Sequence, residues 1–265
     1  MFRRWFSHPL TRGLDIDSPG TTALRRQIVL EKSFLHKIYC EWYETIVEGL
    51  PAEPGSVLEL GAGAGFLADF IPALITSDLF PCPNVRAVLD GAALPFAKGS
   101  LRAIVMTDVL HHLSQPRRFF REASRCVRPG GALVMIEPWV SAWSRWVYQQ
   151  LHPEPFLPES PEWEFPSKGP LSGANGALPW ILFARDRRQF ELEFPEWRIQ
   201  EIHPGMPFCY LLSGGISLRS FLPGWAFKPI RKLELGLEPW IGYWAMFATL
   251  RLVRLEAPAK TDSNA

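Results

Sequence analysis

The chain has 265 residues, of which 47% are hydrophobic and 21% charged, so it can bury a globular core and is neither disordered nor collagen-like. Its 28 basic and 27 acidic side chains give a net charge of +1, which offers no basic field for nucleic-acid binding. We therefore expect no nucleic-acid partner. The four cysteines form no C-x-x-C pair, so neither a disulfide framework nor a metal site is predicted.

Neither end of the chain carries a targeting pattern. No apolar run follows the first ten residues, and the longest late apolar run, 239–250, is shorter than the ~20 residues of a spanning helix. We expect a cytoplasmic location.

The first part of the chain predicts a helix followed by a strand and a glycine turn. One helix is expected over residues 21–50, with an apolar face of Leu24, Ile28, Leu35, Ile38, Trp42 and Ile46. Residues 56–60 form a short apolar strand that leads into the glycine turn 61–65, and a second helix is expected from Phe66. The expected order is strand, glycine turn, helix.

Three further strands and one helix follow. The strands are expected at 73–78, 85–89 and 103–107, and the helix at 115–127 with Ser114 as its N-cap. A Pro-Gly-Gly turn then leads to a fifth strand at 132–136. The crossover 79–84 holds two prolines, so the usual second helix is missing. This alternation predicts an α/β fold with a doubly wound, mainly parallel sheet.

The second half differs from the first in composition, because nine of the 11 tryptophans lie after Pro138. Residues 152–180 hold seven prolines and predict an ordered, aromatic excursion. Two late strands, 197–203 and 243–255, complete a seven-stranded sheet as an antiparallel edge pair. We divide the chain into an N-terminal helical lid (1–50), a cofactor core (51–138), an acceptor-site insertion (139–196), C-terminal strands with a second insertion (197–255) and a disordered tail (256–265).

Four motifs stand in a fixed order in the first half. They are VLELGAGAG from Val57 to Gly65, DGAALPF from Asp90, DVLHHL from Asp108 and RPGG from Arg128. Together they resemble class I S-adenosylmethionine-dependent methyltransferases, specifically the type-11-like small-molecule branch with its Rossmann-like fold. The resemblance covers about residues 57–137. A nicotinamide or flavin fingerprint would need glycine at position 66, where Phe66 stands.

The predicted cofactor site is built on this segment. Gly61 and Gly63 allow close approach of the backbone to a ligand, and the following helix N-terminus would favour a carboxylate. Asp78, at the end of the second strand, is placed to accept hydrogen bonds from a ribose. The resemblance implies that Asp90 contacts the adenine amino group and that Glu59 positions the amino-acid part of S-adenosyl-L-methionine, whose product is S-adenosyl-L-homocysteine. The predicted set also contains Ala62, Gly91, Thr107 and Asp108.

Catalysis needs little beyond alignment, because the sulfonium methyl group is already activated. If an acceptor must lose a proton, His112 and Glu137 are the predicted bases, with His111 beside them. The alternative is that the histidines only cap or pack a turn. In the insertion, His152, Asn175, Asp186 and Tyr210 either contact substrate or only satisfy buried backbone groups.

The second half is expected to select the acceptor, a small molecule or a lipid- or glycan-linked group methylated on oxygen or nitrogen. Residues 202–233 contain no acidic residue but carry basic side chains among aromatic and leucine residues, which resembles a segment lying on anionic lipid. We therefore expect peripheral membrane contact through 202–233. The alternative is a non-catalytic binding module that keeps the fold and uses its aromatic half as a partner surface.

Overall fold

Seven strands form one sheet in the computed structural model, which describes residues 17–152, 154–167, 169 and 173–256. The spatial order is β3-β2-β1-β4-β5-β7-β6, in which β1 to β5 run parallel and β7 is antiparallel to both of its neighbours. The predicted α/β class and the late antiparallel pair are confirmed. The strands are β1 Ser56–Leu60, β2 Ile75–Asp78, β3 Ala87–Val88, β4 Leu101–Thr107, β5 Val127–Pro138, β6 Trp197–Gly205 and β7 Phe247–Arg254.

Helices cover both faces of the sheet and the ends of its strands. Several are short, and the aromatic side chains between them supply much of the packing. The α-helices are α1 Pro19–Glu31, α2 Ser33–Glu48, α3 Pro116–Cys126, α4 Ala142–Leu151, α5 Leu178–Trp180, α6 Arg187–Glu193, α7 Cys209–Ser213, α8 Phe227–Leu235 and α9 Ile241–Trp244. Within the described ranges, no helix combines the length and the apolar character needed to cross a bilayer.

The single helix expected over 21–50 is wrong, because the chain breaks at Lys32 into α1 and α2. Lys32 adopts an extended conformation, with φ −80° and ψ 90°, and its side chain is buried. Its ammonium group donates to the backbone carbonyls of Gly215 and Leu218, the latter at 2.9 Å. The break lets α1 lie over the glycine turn while α2 packs its aromatic face into the core.

The helix expected from Phe66 is also wrong. Two short 3₁₀ turns, Ala62–Ala64 and Leu67–Asp69, occupy this stretch before β2 begins at Ile75. Pro72 ends any helix within about a turn of Phe66, and so short a helix gains little by itself. The helix N-terminus that would have favoured a cofactor carboxylate is therefore absent from this turn.

Two smaller predictions about the crossovers have opposite outcomes. The stretch 79–84 contains no helix, as predicted, and Asn84 instead ties it to the glycine turn by donating to the Ala62 carbonyl at 2.9 Å. Ser114 is not an N-cap, because α3 begins at Pro116 after Gln115 and no side chain caps it. Proline at the first helical position has no N–H, so it removes one of the unpaired donors of the first turn.

One hydrophobic core joins the segments that the sequence divides. Ile38 of the expected lid, Ile104 of the cofactor core, Phe183 of the insertion and Leu250 of the late strands are all fully buried in the same cluster. The segments thus share a single interior. Residues 1–16 of the lid and residues 257–265 of the expected tail lie outside the described residues.

Candidate functional site

The glycine turn is shaped by contacts with the protein itself. Gly61 has φ +73°, and a Cβ added there would lie 2.3 Å from Cγ2 of Val109. A Cβ on Gly63 would lie 2.3 Å from Cγ2 of Thr22 and 2.6 Å from Oδ2 of Asp78. Gly61 is exposed, whereas Gly63 is buried under α1. The bare backbone at Gly63 therefore makes room for α1, whereas the backbone at Gly61 is exposed to solvent.

The two strand-end carboxylates differ in their surroundings. Asp78 accepts hydrogen bonds from the backbone N–H groups of Gly63 at 3.0 Å and Phe80 at 3.1 Å. Asp90 is exposed and accepts from the Ala92 N–H at 2.8 Å. Since each carboxylate oxygen can accept more than one bond, both residues keep capacity for a ligand. Asp78 thus supports the glycine turn, and its contact with a ribose remains a prediction.

The end of the glycine turn that α1 covers holds a buried carboxyl, Glu59, and two polar atoms that have no hydrogen-bond partner among the described residues. Burial raises the pKa of Glu59 to about 8, with the positive charge of Arg26 acting in the opposite direction and Asp78 adding to the rise. Nη1 of Arg26 and Oγ1 of Thr22 are buried and have no hydrogen-bond partner among the described residues. Buried polar groups are normally satisfied, so these atoms indicate a place for a polar ligand.

The end of β4 is polar and strained. Asp108 has φ +62°, a conformation that costs free energy in a non-glycine residue, and its N–H donates to the Ile136 carbonyl at 2.8 Å. Burial raises the pKa of the Asp108 carboxyl to about 6, His111 opposes this, and Glu137 and Glu154 add to it. Beside it, Oγ1 of Thr107 is buried without a partner among the described residues.

Glu137 does not face an acceptor. Its side chain is 0% exposed, and Oε1 accepts from the N–H groups of Val109 at 2.9 Å and Leu110 at 2.7 Å. Oε2 lies 2.8 Å from Nδ1 of His111. Both oxygens are therefore occupied, because the turn after β4 folds back on the end of β5. The geometry corrects the expected direct contact and makes Glu137 a positioning residue for His111.

The two histidines have opposite electrostatic states. Although burial by itself lowers the pKa of His111, its hydrogen bonds to Glu137 and Glu154 raise that pKa well above the usual range. Burial, with the neighbouring His111, lowers the pKa of His112 to about 3. His112 is therefore neutral near physiological pH, and its low pKa makes it a weak base.

Glu154 is the functional candidate that the sequence analysis missed. Its Oε2 lies 3.7 Å from Nε2 of His111 and 3.9 Å from Nε2 of His112. Burial alone would raise the pKa of Glu154, but His111, His112 and His152 together hold it well below the usual range. Glu154 stands in the proline-rich stretch in no motif, so only the tertiary fold brings it to the histidines.

Asn175 and Asp186 do not contact the site directly. Asn175 donates its N–H to the His111 carbonyl at 2.9 Å, and its Oδ1 accepts from Leu157 N–H at 2.9 Å. Asp186 accepts from Nε1 of Trp163 at 2.9 Å and pairs with Arg185. Both satisfy buried groups, which is the alternative that the sequence left open. Asn175 thereby holds the Glu154 segment against the histidine turn.

An aromatic wall borders the carboxylates. Tyr210 stacks on Trp42 with ring centroids 5.7 Å apart and meets Phe247 at 4.6 Å. Burial raises the pKa of Tyr39, Tyr148 and Tyr210, and the nearby charge of Asp108 raises each further. These ring contacts join α2 to the second half of the chain.

Part of this site lies in a segment that matches a known protein family. Residues 58–135 match the family model described as a methyltransferase domain. This segment is a methyltransferase domain of the type-11 kind. The resemblance to class I S-adenosylmethionine-dependent methyltransferases that the four motifs carried is confirmed over these residues.

The methyltransferase domain also has curated relatives. A demethylmenaquinone methyltransferase of Renibacterium salmoninarum is 28% identical over 111 residues, which are 36% of this chain and 47% of the relative. A malonyl-[acyl-carrier protein] O-methyltransferase of Hahella chejuensis is 31% identical over 99 residues, 31% of this chain and 36% of the relative. The chain thus spans half or less of the length of these relatives.

A solved structure resembles nearly the whole chain in fold. It is a chain of the complex that contains the Haloferax volcanii Trm112 methyltransferase activator, with a TM-score of 0.52 and 13% identity over 90% of this chain and 96% of that one. At this identity the likeness concerns the fold alone. Thr22, Arg26 and Glu154 lie outside the matched segment 58–135.

Proposed function

We propose that this protein transfers the methyl group of S-adenosyl-L-methionine to oxygen or nitrogen of a small-molecule or lipid- or glycan-linked acceptor, leaving S-adenosyl-L-homocysteine. The observation that carries the proposal is the covered end of the glycine turn. There a buried carboxyl, Glu59, and an unpaired guanidinium nitrogen of Arg26 lie beside the matched motif. A zwitterionic amino-acid group would satisfy both at once.

Different residues would bind different parts of the cofactor. Arg26 would hold the carboxylate and Glu59 the ammonium group, while Asp78 beside Gly63 and the exposed Asp90 suit the ribose and the adenine. When bound, the cofactor supplies an activated methyl group. The aromatic wall of Trp42, Tyr210 and Phe247 would exclude water and align the acceptor, which accounts for most of such a rate enhancement.

A hydroxyl acceptor must also lose a proton. His112 is the predicted proton acceptor, but burial lowers its pKa to about 3, which makes it a weak base near neutral pH. Glu137 would act only through His111, by fixing the orientation of its ring.

Arg26 offers the direct test of this function. Calorimetry should show micromolar binding of adenosylmethionine and adenosylhomocysteine, and Arg26→Met should weaken it by about 10- to 100-fold, since charge-assisted hydrogen bonds contribute about 1.5–3 kcal/mol. Arg118→Met is the control, because Arg118 is exposed on α3. If the unmodified protein binds neither nucleoside, the non-catalytic module is the better description.

A separate surface supports peripheral membrane contact as part of this proposal. Trp143, Trp146, Trp240, Tyr243 and Trp244 line an open cleft of about 640 Å³. Further large apolar side chains are exposed nearby along the chain, namely Phe221, Trp225, Leu233 and Leu235. Exposed apolar side chains in such number commonly mark an interaction surface.

Helix α8 carries positive charge that favours an anionic lipid surface as the partner of this cleft. Lys228, Lys232 and Leu235 recur at spacings of four and three, so they share one face, and all three are exposed. Arg231 instead turns inward to pair with Glu41. A helix face that mixes lysine with leucine beside exposed tryptophan suits the surface of an anionic bilayer. The contact surface therefore extends beyond the expected 202–233 to Trp244.

Vesicle sedimentation tests this contact. The protein should co-sediment with phosphatidylserine-containing vesicles at low salt and be released as salt rises, because the lysine attraction is screened. Leu233→Ser should reduce binding several-fold. Leu192→Ser on α6 is a matched control, since the two side chains are 74% and 73% exposed. Absence of binding at low salt, or an equal loss in both variants, would contradict the contact.

A further inference from the structure

Three potential metal ligands converge beside the end of β4. One ring nitrogen of His111, one ring nitrogen of His112 and a carboxylate oxygen of Glu154 all lie within 4.8 Å of one another. Two come from the DVLHHL motif, whereas Glu154 arrives from a segment 42 residues further along the chain. Two imidazoles and one carboxylate form the ligand set of catalytic zinc sites that keep an open coordination position.

The orientation of His111 is already that of a metal ligand. Because an ionised carboxylate can only accept, Nδ1 of His111 donates its proton to Oε2 of Glu137 at 2.8 Å. Glu137 is itself held by two backbone N–H groups, so the ring cannot readily turn. Histidine ligands usually donate their second N–H to a carboxylate in this way, which leaves Nε2 for the metal.

The distances require only a small contraction. Ligand atoms in a tetrahedral site with bonds near 2.0 Å lie roughly 3.3 Å apart. Here Oε2 of Glu154 is 3.7 Å from Nε2 of His111 and 3.9 Å from Nε2 of His112. Glu154 is 24% exposed, so the cluster opens to solvent on one side and its side chain has room to move.

Two other titratable groups border the cluster. Oδ1 of Asp108 is 3.9 Å from Nδ1 of His111, and Nδ1 of His152 is 4.0 Å from Oε2 of Glu154. Both sit beside the ligand atoms without separating them. The carboxylates of Asp108, Glu137 and Glu154 also act electrostatically on Tyr148, so the cluster borders the aromatic wall.

We propose that His111, His112 and Glu154 bind one divalent cation of the borderline class, such as Zn²⁺, through Nε2, Nε2 and a carboxylate oxygen. The remaining coordination position of the cation would take an oxygen atom of the methyl acceptor. This role of the cation rests on the proposed function. The acceptor class would then be one with a hydroxyl or carbonyl oxygen able to coordinate a metal. In this arrangement His112 is a ligand, because its Nε2 lone pair cannot also accept a proton.

Metal titration of the full chain tests the site without any turnover. After chelator treatment, calorimetry with ZnCl₂ should give one equivalent, and Co²⁺ should produce the visible absorption of a four- or five-coordinate site. Glu154→Gln and His112→Gln should each lower zinc affinity by at least about 10-fold. His203→Gln on β6 is the control, because His203 lies outside the cluster.

Thermal unfolding separates ligand loss from misfolding. Zinc should raise the melting temperature of the unmodified protein, since a ligand that binds only the folded state stabilises it, and should leave that of Glu154→Gln unchanged. No stoichiometric binding, or unaltered binding in Glu154→Gln, would overturn the proposal and leave an ion-pair network of His111 between two carboxylates. Adenosylmethionine calorimetry on the same metal-free protein reports on the proposed function separately.

Discussion

Glu137→Ala should lower the free energy of unfolding by about 3–5 kcal/mol, with a fall in melting temperature of about 10 °C. The carboxylate accepts from two backbone N–H groups and from His111, and its side chain is fully buried. Alanine would leave all three donors unsatisfied in a region that water does not reach. The free energy is measured by denaturant unfolding, and the melting temperature by calorimetry.

A conservative variant keeps this prediction testable if the alanine variant does not fold. Glu137→Gln retains the shape, but its amide nitrogen would face His111 and force the other ring tautomer. We expect a smaller loss of stability together with a shifted pH profile of methyl transfer. Glu159→Ala is the control, because Glu159 pairs with Arg145 at the surface and such pairs contribute little. Equal stability of Glu137→Ala and the unmodified protein would contradict the buried network.

Glu59→Gln should stabilise the unliganded protein while weakening cofactor binding by at least about 10-fold. Because burial raises the folded-state pKa of Glu59 to about 8, ionisation favours the unfolded chain as pH rises from about 4.5 to about 8. Glutamine removes this penalty, so its advantage should grow over that window to a few kcal/mol in order of magnitude. Urea unfolding at pH 5 and pH 8 measures the difference.

Cofactor binding should also release a proton from Glu59. The ammonium group of adenosylmethionine would favour the carboxylate, and Arg26 acts in the same direction, whereas Asp78 opposes it. Calorimetry near pH 7 in buffers of different ionisation enthalpy should detect the proton in the unmodified protein but not in Glu59→Gln. Glu48→Gln, at the exposed end of α2, is the control. Proton release that persists in Glu59→Gln would assign it to another group.

Much of the cofactor half was predictable from local patterns. The apolar runs around Val57, Ile104 and Leu133 indicated strands of a parallel sheet, and glycines at 61 and 63 indicated the turn after β1. Even in this half, the prediction from sequence was wrong for a short element, the helix expected from Phe66. The residues after Phe66 are compatible with a helix, but Pro72 limits its length and packing against α2 decides the outcome.

Contacts between segments far apart in the sequence determine the side-chain arrangement of the candidate site. Glu154 lies beside His111 and His112, Thr22 covers Gly63, and Glu137 accepts from two backbone N–H groups. The residues in these contacts are 27 to 43 positions apart in the sequence. No local sequence pattern predicts these tertiary contacts. The sequence alone determined the sheet, the glycine turn and the family of its core, because these depend on neighbouring residues. The tertiary structure decided which charges face one another, because burial and direction follow from packing.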